Sequence, residues 1–316
     1  MKLVFCGTPQ FAVPTLEALL TAGHEIPLVV TQPDRPVGRK QELTAPPVKR
    51  TALAAGLSVT QPEKIRNNAA FRAQLEAIAP DAIVVVAYGR IIPPWMLTLP
   101  RLGCINLHGS LLPKYRGAAP IQWAVAMGET VTGNTTMLLE EGLDTGPILL
   151  QQTLTIAPGQ TAVELFSLLA EAGAPLVVET LASLEKGSIH PRQQDHTRAT
   201  LAPILTREEG RMDFAARTAE DLLNRWRGFQ PWPGAFTALD GKKLIVHRMA
   251  PVAASSLEIP THAQPGQIHV ENHRLFAACA RETWLELVEI QLEGKKRMTA
   301  AEFLRGAQLP AGARLG

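Results

Sequence analysis

Residues 81–87, Asp-Ala-Ile-Val-Val-Val-Ala, constrain the fold of this chain more than any other stretch. A near-continuous apolar run of this length is typical of a β-strand buried on both faces, as in a parallel sheet. Residues 2–6 and 26–30 are further apolar, strand-sized segments, whereas 47–56 and 67–79 have the spacing of amphipathic helices. Strands that alternate with helices predict an α/β fold with a doubly wound, mostly parallel sheet.

The chain is long enough to predict more than one domain, because its 316 residues exceed the usual size of a single domain. From residue 190 to 206 the periodic patterns give way to polar residues and proline, which predicts a linker. We therefore predict a catalytic domain over 1–189, the linker over 190–206 and a second domain over 207–316. In that last part, short alternating runs and the turn signal Asp240-Gly241 predict a small antiparallel barrel.

The composition limits the cellular location and the kinds of cofactor and partner that we expect for this protein. The longest apolar runs are strand-sized, and the N-terminal sequence lacks the features of a signal or transit segment, so we expect a cytoplasmic protein without a membrane partner. Cys6, Cys104 and Cys279 are odd in number and far apart, which favours buried, reduced thiols over disulfides or zinc ligands. We expect no metal. The net charge of +2 does not by itself indicate a nucleic-acid-binding protein.

A polar, glycine-rich stretch that follows a short apolar run contains the candidate catalytic residues. Asn106 and His108 are two residues apart, so on a strand their side chains point to the same face. Asp144 lies in a turn between two glycines, flanked by predicted strands at 135–139 and 148–156. A carboxylate beside an imidazole orients the ring and favours its charged form, which suits proton transfer near neutral pH.

Each of these three residue types, taken singly, more often has a structural role at such a position, in a strand end or a turn, than a catalytic one. Their position beyond a buried strand favours a functional interpretation, because ligands of open α/β sheets bind outside the carboxyl ends of the strands.

Three motifs carry a resemblance to a known family. They are Asn106-x-His108-x-Ser110-Leu111-Leu112-Pro113, Arg116-Gly117-Ala118-Ala119-Pro120-Ile121-Gln122 and Gly142-Leu143-Asp144-Thr145-Gly146. With them the chain resembles the formyltransferases that use 10-formyltetrahydrofolate, and the resemblance extends from Phe5 into the C-terminal third. It implies a Rossmann-like first domain and an OB-like β-barrel as the second, smaller domain.

The resemblance also implies the chemistry. Asn106 and His108 are expected to donate hydrogen bonds to the oxyanion that forms when an amine attacks the formyl carbon, and His108, paired with Asp144, to carry a proton. The expected co-substrate is 10-formyltetrahydrofolate, and no metal or nicotinamide is implied. The residues expected to bind the folate are Gly89, Arg90, Ile91, Ser110, Leu111, Leu112, Pro113, Glu140 and Gly142.

The polar, proline-punctuated segment 32–47 is a second candidate region. From the residues alone, a solvated loop and a phosphate-binding loop are equally good interpretations. The resemblance is strongest to the tRNA-formylating members of the family, where the corresponding insertion enters the acceptor-stem region. It implies initiator methionyl-tRNA as the partner, contacted by Arg39 and Lys40. We expect the enzyme to act as a monomer.

The chain departs from the family pattern at two positions, and three competing functions stay open. Gln10 and Ile204 stand where relatives usually carry Asp and often Lys, so a tRNA contact at 204 is in doubt. Formyltransferases that act on amino-sugar nucleotides tend to read Arg-Ala-Pro where this chain has Ala118-Ala119-Pro120. The chain is also compatible with a formyltetrahydrofolate hydrolase or with a non-catalytic RNA-binding protein, although the intact Asn106, His108 and Asp144 argue against the last.

Overall fold

The computed structural model describes residues 1–38, 41–252, 263–307, 309–310 and 312–316. Arg39 and Lys40, the two predicted tRNA contacts, lie outside the described residues. The chain divides into two compact units. The first unit contains Met1–Ile121, Val131–Ile156 and Glu164–Pro203, and the second contains Gln122–Thr130, Ala157–Val163 and Ile204–Gly316. The predicted domain limits themselves stay a prediction.

The elements from the N-terminus to residue 185 alternate between strands and helices. The strands are β1 (Lys2–Gly7), β2 (Glu25–Val30), β3 (Arg35–Val37), β4 (Glu42–Thr44), β5 (Val59–Thr60), β6 (Ala82–Val86), β7 (Cys104–His108), β8 (Val131–Leu138) and β9 (Ile148–Thr155). The helices are α1 (Val13–Thr21), α2 (Pro47–Ala54), α3 (Ala69–Ile78), α4 (Pro94–Leu97), α5 (Pro120–Ala126) and α6 (Ala162–Glu185).

Seven of these strands form one sheet in the order β5-β2-β1-β6-β7-β8-β9. The pairs from β5 to β7 are parallel, and β8 and β9 are added antiparallel at one edge. The chain proceeds outward from β1 to β2 and then returns to β6 on the other side of β1. This reversal creates a crevice at the carboxyl ends of the strands, where such folds bind ligands. The predicted Rossmann-like sheet is confirmed.

Most of the apolar run at 81–87 forms β6, which is buried along its whole length between β1 and β7. Every residue of β7 is buried too, including the two polar ones, Asn106 and His108. Because a parallel strand covered on both faces excludes water from its flanks, polar groups at its carboxyl end lie in a protected environment.

Segment 32–47 contains more order than a loop. Within its described residues, β3 and β4 pair antiparallel, and α2 begins at Pro47. Proline suits that position, because a backbone N–H in the first turn of a helix has no acceptor within the helix, so its absence costs nothing.

Helix α6 packs against the antiparallel edge of the sheet. The buried amide of Asn134 on β8 donates to the Leu169 carbonyl at 2.8 Å, and the hydroxyls of Thr136 and Thr180 are 2.8 Å apart. This helix is long and apolar enough, by length and composition, to cross a membrane, yet half of its most apolar window is buried within the protein. Core helices of water-soluble enzymes have the same character.

In the described residues of its C-terminal part, 204–316, the second unit contains an antiparallel sheet of six strands and two α-helices. They are β10 (Phe236–Leu239), β11 (Lys242–Val252), β12 (Ile268–Glu271), β13 (Arg274–Ala278), β14 (Trp284–Leu292), β15 (Met298–Thr299), α7 (Ala219–Gly228) and α8 (Ala300–Gly306). Inward residues such as Leu244, Val246 and Leu287 form its core. The predicted hairpin at Asp240-Gly241 is confirmed, with both residues at positive φ, as this turn requires.

Candidate active site

Strand β7 brings Asn106 and His108 to the carboxyl edge of the sheet. The register pairs Asn106 with Val85 of β6, and His108 with Thr135 of β8. The two side chains are 9% and 6% exposed and, two residues apart on one strand, share a face. Among the residues that the structure describes, the Asn106 amide has no hydrogen-bond partner, so its N–H groups are available to a substrate.

Asp144 reaches His108 from the loop between β8 and β9. Its Oδ2 lies 3.7 Å from Nδ1 of His108 and accepts a hydrogen bond from the backbone N–H of Gly117 at 2.8 Å. The Asp144 backbone is in the left-handed region, with φ at 50°, which only a few non-glycine residue types tolerate. The structure thus brings together the carboxylate and the imidazole that the sequence analysis singled out.

The other ring nitrogen of His108 has a partner that the sequence analysis did not identify. Nε2 lies 2.9 Å from the backbone carbonyl of Tyr115. A carbonyl oxygen only accepts hydrogen bonds, so Nε2 carries the hydrogen. Consequently Nδ1, which faces Asp144, is the ring atom that is able to gain and lose a proton. No side-chain pattern could have indicated Tyr115, because it contributes its backbone.

A buried threonine of β8 holds the segment from Ser110 to Pro113 in place by hydrogen bonds. Thr135 Oγ1 donates to the Ser110 carbonyl at 2.6 Å and accepts from the Leu112 N–H at 3.1 Å. Gln151 on β9 donates to both the Leu112 carbonyl and Thr135 Oγ1, each at 3.0 Å. This network holds the segment predicted to contact folate in one conformation.

The remaining predicted folate residues lie on two neighbouring loops. Gly89, Arg90 and Ile91 follow β6, where Ile91 is 80% exposed and the Nε of Arg90 is buried without a partner. Glu140 and Gly142 are exposed in the Asp144 loop. Gly89, Arg90 and Ile91 therefore lie in the loop after β6, and Glu140 and Gly142 in the loop between β8 and β9; a role in folate binding stays a prediction.

A groove of about 540 Å³ lies beside the site, at the carboxyl ends of β1, β2 and β6. Thr8, Gln32 and Gly89 are among its lining residues, together with the exposed arginines Arg35 and Arg50. The neighbouring Lys49 is paired with Asp34 at 2.7 Å, and hydrogen bonds from Lys49 and Gln61 hold the pKa of Asp34 below its usual value. Among the described residues, neither Arg35 nor Arg50 has an acidic partner of this kind, so both present charge to the groove.

The cysteines occupy the core. All three are buried and free, and burial raises the pKa of Cys104 and of Cys279 to about 12 and that of Cys6 well above its usual value. Such thiols stay protonated at neutral pH and act as small apolar side chains, as predicted. Within the described part of the chain, no group of three or more His, Cys, Asp or Glu side chains is arranged to hold a metal ion.

Comparison with known proteins assigns the chain to a class and then to a family. Residues 1–181 match the formyl transferase family and residues 204–308 the formyl transferase C-terminal domain, so fold and site define a formyl-transferring enzyme. The chain is 68% identical to a methionyl-tRNA formyltransferase of Acidobacterium capsulatum over the full length of both, and 58% identical to one of Koribacter versatilis over all of this chain and 99% of that protein. It therefore belongs to the methionyl-tRNA formyltransferase family, which confirms the resemblance inferred from the motifs.

More distant proteins share the fold. WlaRD, a sugar 3N-formyl transferase crystallised in the presence of dTDP and 5-N-formyl-THF, superposes with a TM-score of 0.64 at 15% identity, covering 94% of this chain and 99% of that one. HypX from Aquifex aeolicus, in complex with tetrahydrofolic acid, has a TM-score of 0.59 at 17% identity, covering 96% of this chain and 46% of its own.

Proposed function

We propose that this enzyme transfers the formyl group of 10-formyltetrahydrofolate to the α-amino group of methionine esterified to initiator tRNA, acting in the cytoplasm as a monomer. The observation that carries the proposal is the environment of His108, where Nε2 is bound to a carbonyl and Nδ1 faces a carboxylate 3.7 Å away. The high identity to methionyl-tRNA formyltransferases supports the acceptor.

The first step is attack on the formyl carbon by the neutral amine. An α-amino group with a pKa of about 7.7 is substantially neutral at physiological pH, so it needs no strong base to become nucleophilic. Attack forms a C–N bond and leaves negative charge on the formyl oxygen. The unpartnered amide of Asn106 supplies a fixed N–H donor for that oxyanion in a site from which water is largely excluded.

The proton moves through Nδ1 of His108. The attacking amine loses a proton to this nitrogen, and the ring then carries a positive charge opposite the Asp144 carboxylate. Collapse of the intermediate breaks the bond between the formyl carbon and N10 of tetrahydrofolate, and the departing nitrogen takes up the proton. Because Nε2 is hydrogen-bonded to the Tyr115 carbonyl, Nδ1 serves both proton transfers. The imidazole ring therefore does not have to flip between them.

The folate is proposed to bind across the loops that follow β6 and β7 and the loop that contains Asp144. The backbone at Ser110 and Leu112 is held in place by hydrogen bonds, and the exposed side chain of Ile91 offers apolar surface. A flat heteroaromatic ring needs that combination of apolar wall and few, well-placed hydrogen-bonding groups.

The acceptor is proposed to enter over segment 32–47. Arg35 and Arg50 at the groove carry charge toward a phosphate backbone, and the predicted contacts Arg39 and Lys40 belong to the same segment. Non-specific steering by such charges and a specific contact by Arg39 are both consistent with a polyanionic substrate.

The decisive experiment is a transfer assay with the purified enzyme and 10-formyltetrahydrofolate. We expect formylated product with methionyl-initiator tRNA, and none with a 3-amino-sugar nucleotide. Consumption of the donor without any acceptor would identify a hydrolase, and tRNA binding without transfer would identify a binding protein; either result would overturn the proposal.

A further inference from the structure

The segment Arg192 to Ala202, called the strap below, contains only one short 3₁₀ helix, yet it is bound along its length to the elements of the active site. At its start, Arg192 and Ile148 exchange two backbone hydrogen bonds of 2.8 Å each. At its end, Arg116 donates to the Thr200 carbonyl at 2.8 Å and accepts from the Ala202 N–H at 2.7 Å. A passive linker would leave most of these backbone groups to water.

Gln194 is the buried polar residue of the strap, 5% exposed between two exposed neighbours. Its Nε2 donates to the backbone carbonyls of Asp144 at 2.8 Å and Gly146 at 2.7 Å. Its Oε1 accepts from Nε and Nη2 of Arg116 at 3.1 and 2.7 Å. Chemistry fixes this orientation, because a guanidinium only donates and a carbonyl only accepts. Every hydrogen-bonding position of the amide is thus satisfied inside the protein.

These contacts act on the loop that presents the acid. Asp144 has a left-handed backbone and is otherwise tied by its carboxylate to the Gly117 N–H. Two hydrogen bonds from Gln194 to the loop fix the direction in which its backbone, and hence its side chain, projects. The buried guanidinium of Arg116 in turn prevents the Gln194 amide from rotating.

The far end of the strap acts on the second partner of His108. Thr200 Oγ1 accepts a hydrogen bond from the Tyr115 N–H at 2.9 Å, and the Tyr115 carbonyl is the group that binds Nε2 of His108. The strap therefore contacts the residues that hold both nitrogens of the ring.

We propose that Gln194, oriented by Arg116, is a positioning residue that sets the Asp144 carboxylate beside Nδ1 of His108, so that the strap is a working part of the active site. Gln194 touches neither the carboxylate nor the ring and acts through the backbone of the Asp144 loop. This inference rests on the proposed function, in which Asp144 stabilises the protonated ring.

The test variant is Gln194→Glu, which still accepts from Arg116 but cannot donate to the Asp144 and Gly146 carbonyls. We expect kcat for formyl transfer to fall about 10-fold to 100-fold, since small displacements of a catalytic group have effects of that size, while KM for folate and for tRNA changes less than about threefold. If Gln194→Glu does not fold, Gln194→Met, which is uncharged and of similar length, tests the loss of the same two donated hydrogen bonds. Gln193→Glu, an exposed neighbour of the same type, is the matched control and should retain full activity.

A double-mutant cycle separates positioning from general destabilisation. If Gln194 acts through Asp144, Gln194→Glu in an Asp144→Asn background should lower kcat by less than about twofold further, because the group it positions is already lost. If the double variant instead loses kcat by the full product of the two single effects, the inference is overturned. Wild-type kcat in a folded Gln194→Glu enzyme would overturn it too. An inactive wild-type enzyme would instead overturn the proposed function, and this inference with it.

Discussion

The two nitrogens of His108 have different partners, and that asymmetry defines what a single side chain does here. Nε2 is fixed as a donor by the Tyr115 carbonyl, while Nδ1 faces Asp144. The distance of 3.7 Å is longer than a hydrogen bond, and in the proposed mechanism the carboxylate stabilises charge on the ring without holding its proton permanently. In the same proposal Asn106, free of protein partners among the described residues, supplies the oxyanion donor.

At this scale we predict that Asp144→Asn lowers kcat about 100-fold or more, because the variant removes the negative charge opposite the protonated ring but keeps the size of the side chain. Binding of the folate donor, measured by titration, should stay within about threefold of wild type. Glu141→Gln, an exposed residue of the same loop, is the control. Near-normal turnover of a folded Asp144→Asn enzyme would remove this carboxylate from the mechanism.

Among the elements, β8 does more than extend the sheet. Its residue Thr135 connects two separate segments: it bonds the Ser110 carbonyl and the Leu112 N–H of the segment after β7, and Gln151 of β9. The hydroxyl is fully buried, so these bonds have no replacement from water. An antiparallel strand, β8, thus determines the conformation of a loop that follows a parallel strand.

We therefore predict that Thr135→Val, of nearly the same shape, lowers the free energy of unfolding by about 1 to 3 kcal/mol, because it leaves buried backbone groups unpaired. KM for folate should rise more than kcat falls, since the loop rather than the proton-transfer group is loosened. Urea unfolding and steady-state kinetics measure the two effects. The exposed Thr153→Val on β9 should change neither, and an unchanged Thr135→Val enzyme would contradict the predicted role of the hydroxyl.

Over the whole molecule, charge has two separate roles. Ion pairs and hydrogen bonds join distant parts of the first unit: Asp81 accepts from the N–H of Lys2 and from Arg101, both at 2.8 Å, and so ties β1 to the start of β6. Elsewhere, the net charge of +2 is too small to attract nucleic acid by itself, so tRNA binding depends on where the cations are concentrated.

The first whole-molecule prediction concerns acid stability. The hydrogen bonds from Lys2 and Arg101 hold the pKa of Asp81 below its usual value of 3.8. A group with a lowered folded-state pKa contributes stability above its unfolded pKa and loses it as the pH falls through the folded value. We expect wild-type stability to decrease as the pH drops below 3.8, and to decrease less in Asp81→Asn.

Urea midpoints at pH 5 and at successive values below 3.8 measure this difference. The exposed Glu17→Gln on α1 is the control and should follow the wild-type pH dependence. Parallel curves for wild type and Asp81→Asn would contradict the role given to Asp81.

The second whole-molecule prediction concerns salt. KM for the tRNA acceptor should rise steeply with ionic strength, because phosphate contacts release counterions, whereas KM for folate should change little. Arg39→Ala should raise the tRNA KM and reduce the slope of log KM against log salt by about 1. Arg72→Ala, on the exposed face of α3, is the matched control. Equal slopes for Arg39→Ala and wild type would exclude a phosphate contact by Arg39.

Much of this architecture was available from local patterns. The buried run at 82–86 and the Asp240-Gly241 hairpin follow from spacings of a few residues, and both are present. Strand β8 was only partly predicted: it begins at Val131 rather than 135. Its polar start resembles a loop in sequence, but the buried Asn134 amide nitrogen donates a hydrogen bond to α6, a partner that only the packed structure provides.

The sequence by itself determined the class of fold and the pair Asn106 and His108, since hydrophobic periodicity and a two-residue spacing are local properties of the chain. Only the tertiary structure decided which atoms complete the site. It brought the Tyr115 carbonyl to one ring nitrogen and Asp144 to the other, and buried Gln194, in a segment whose polar residues predicted a linker, beneath the Asp144 loop. Hydrogen bonds between segments distant in sequence leave no periodic pattern, because their geometry exists only after the strands have paired and the loops between them have been packed.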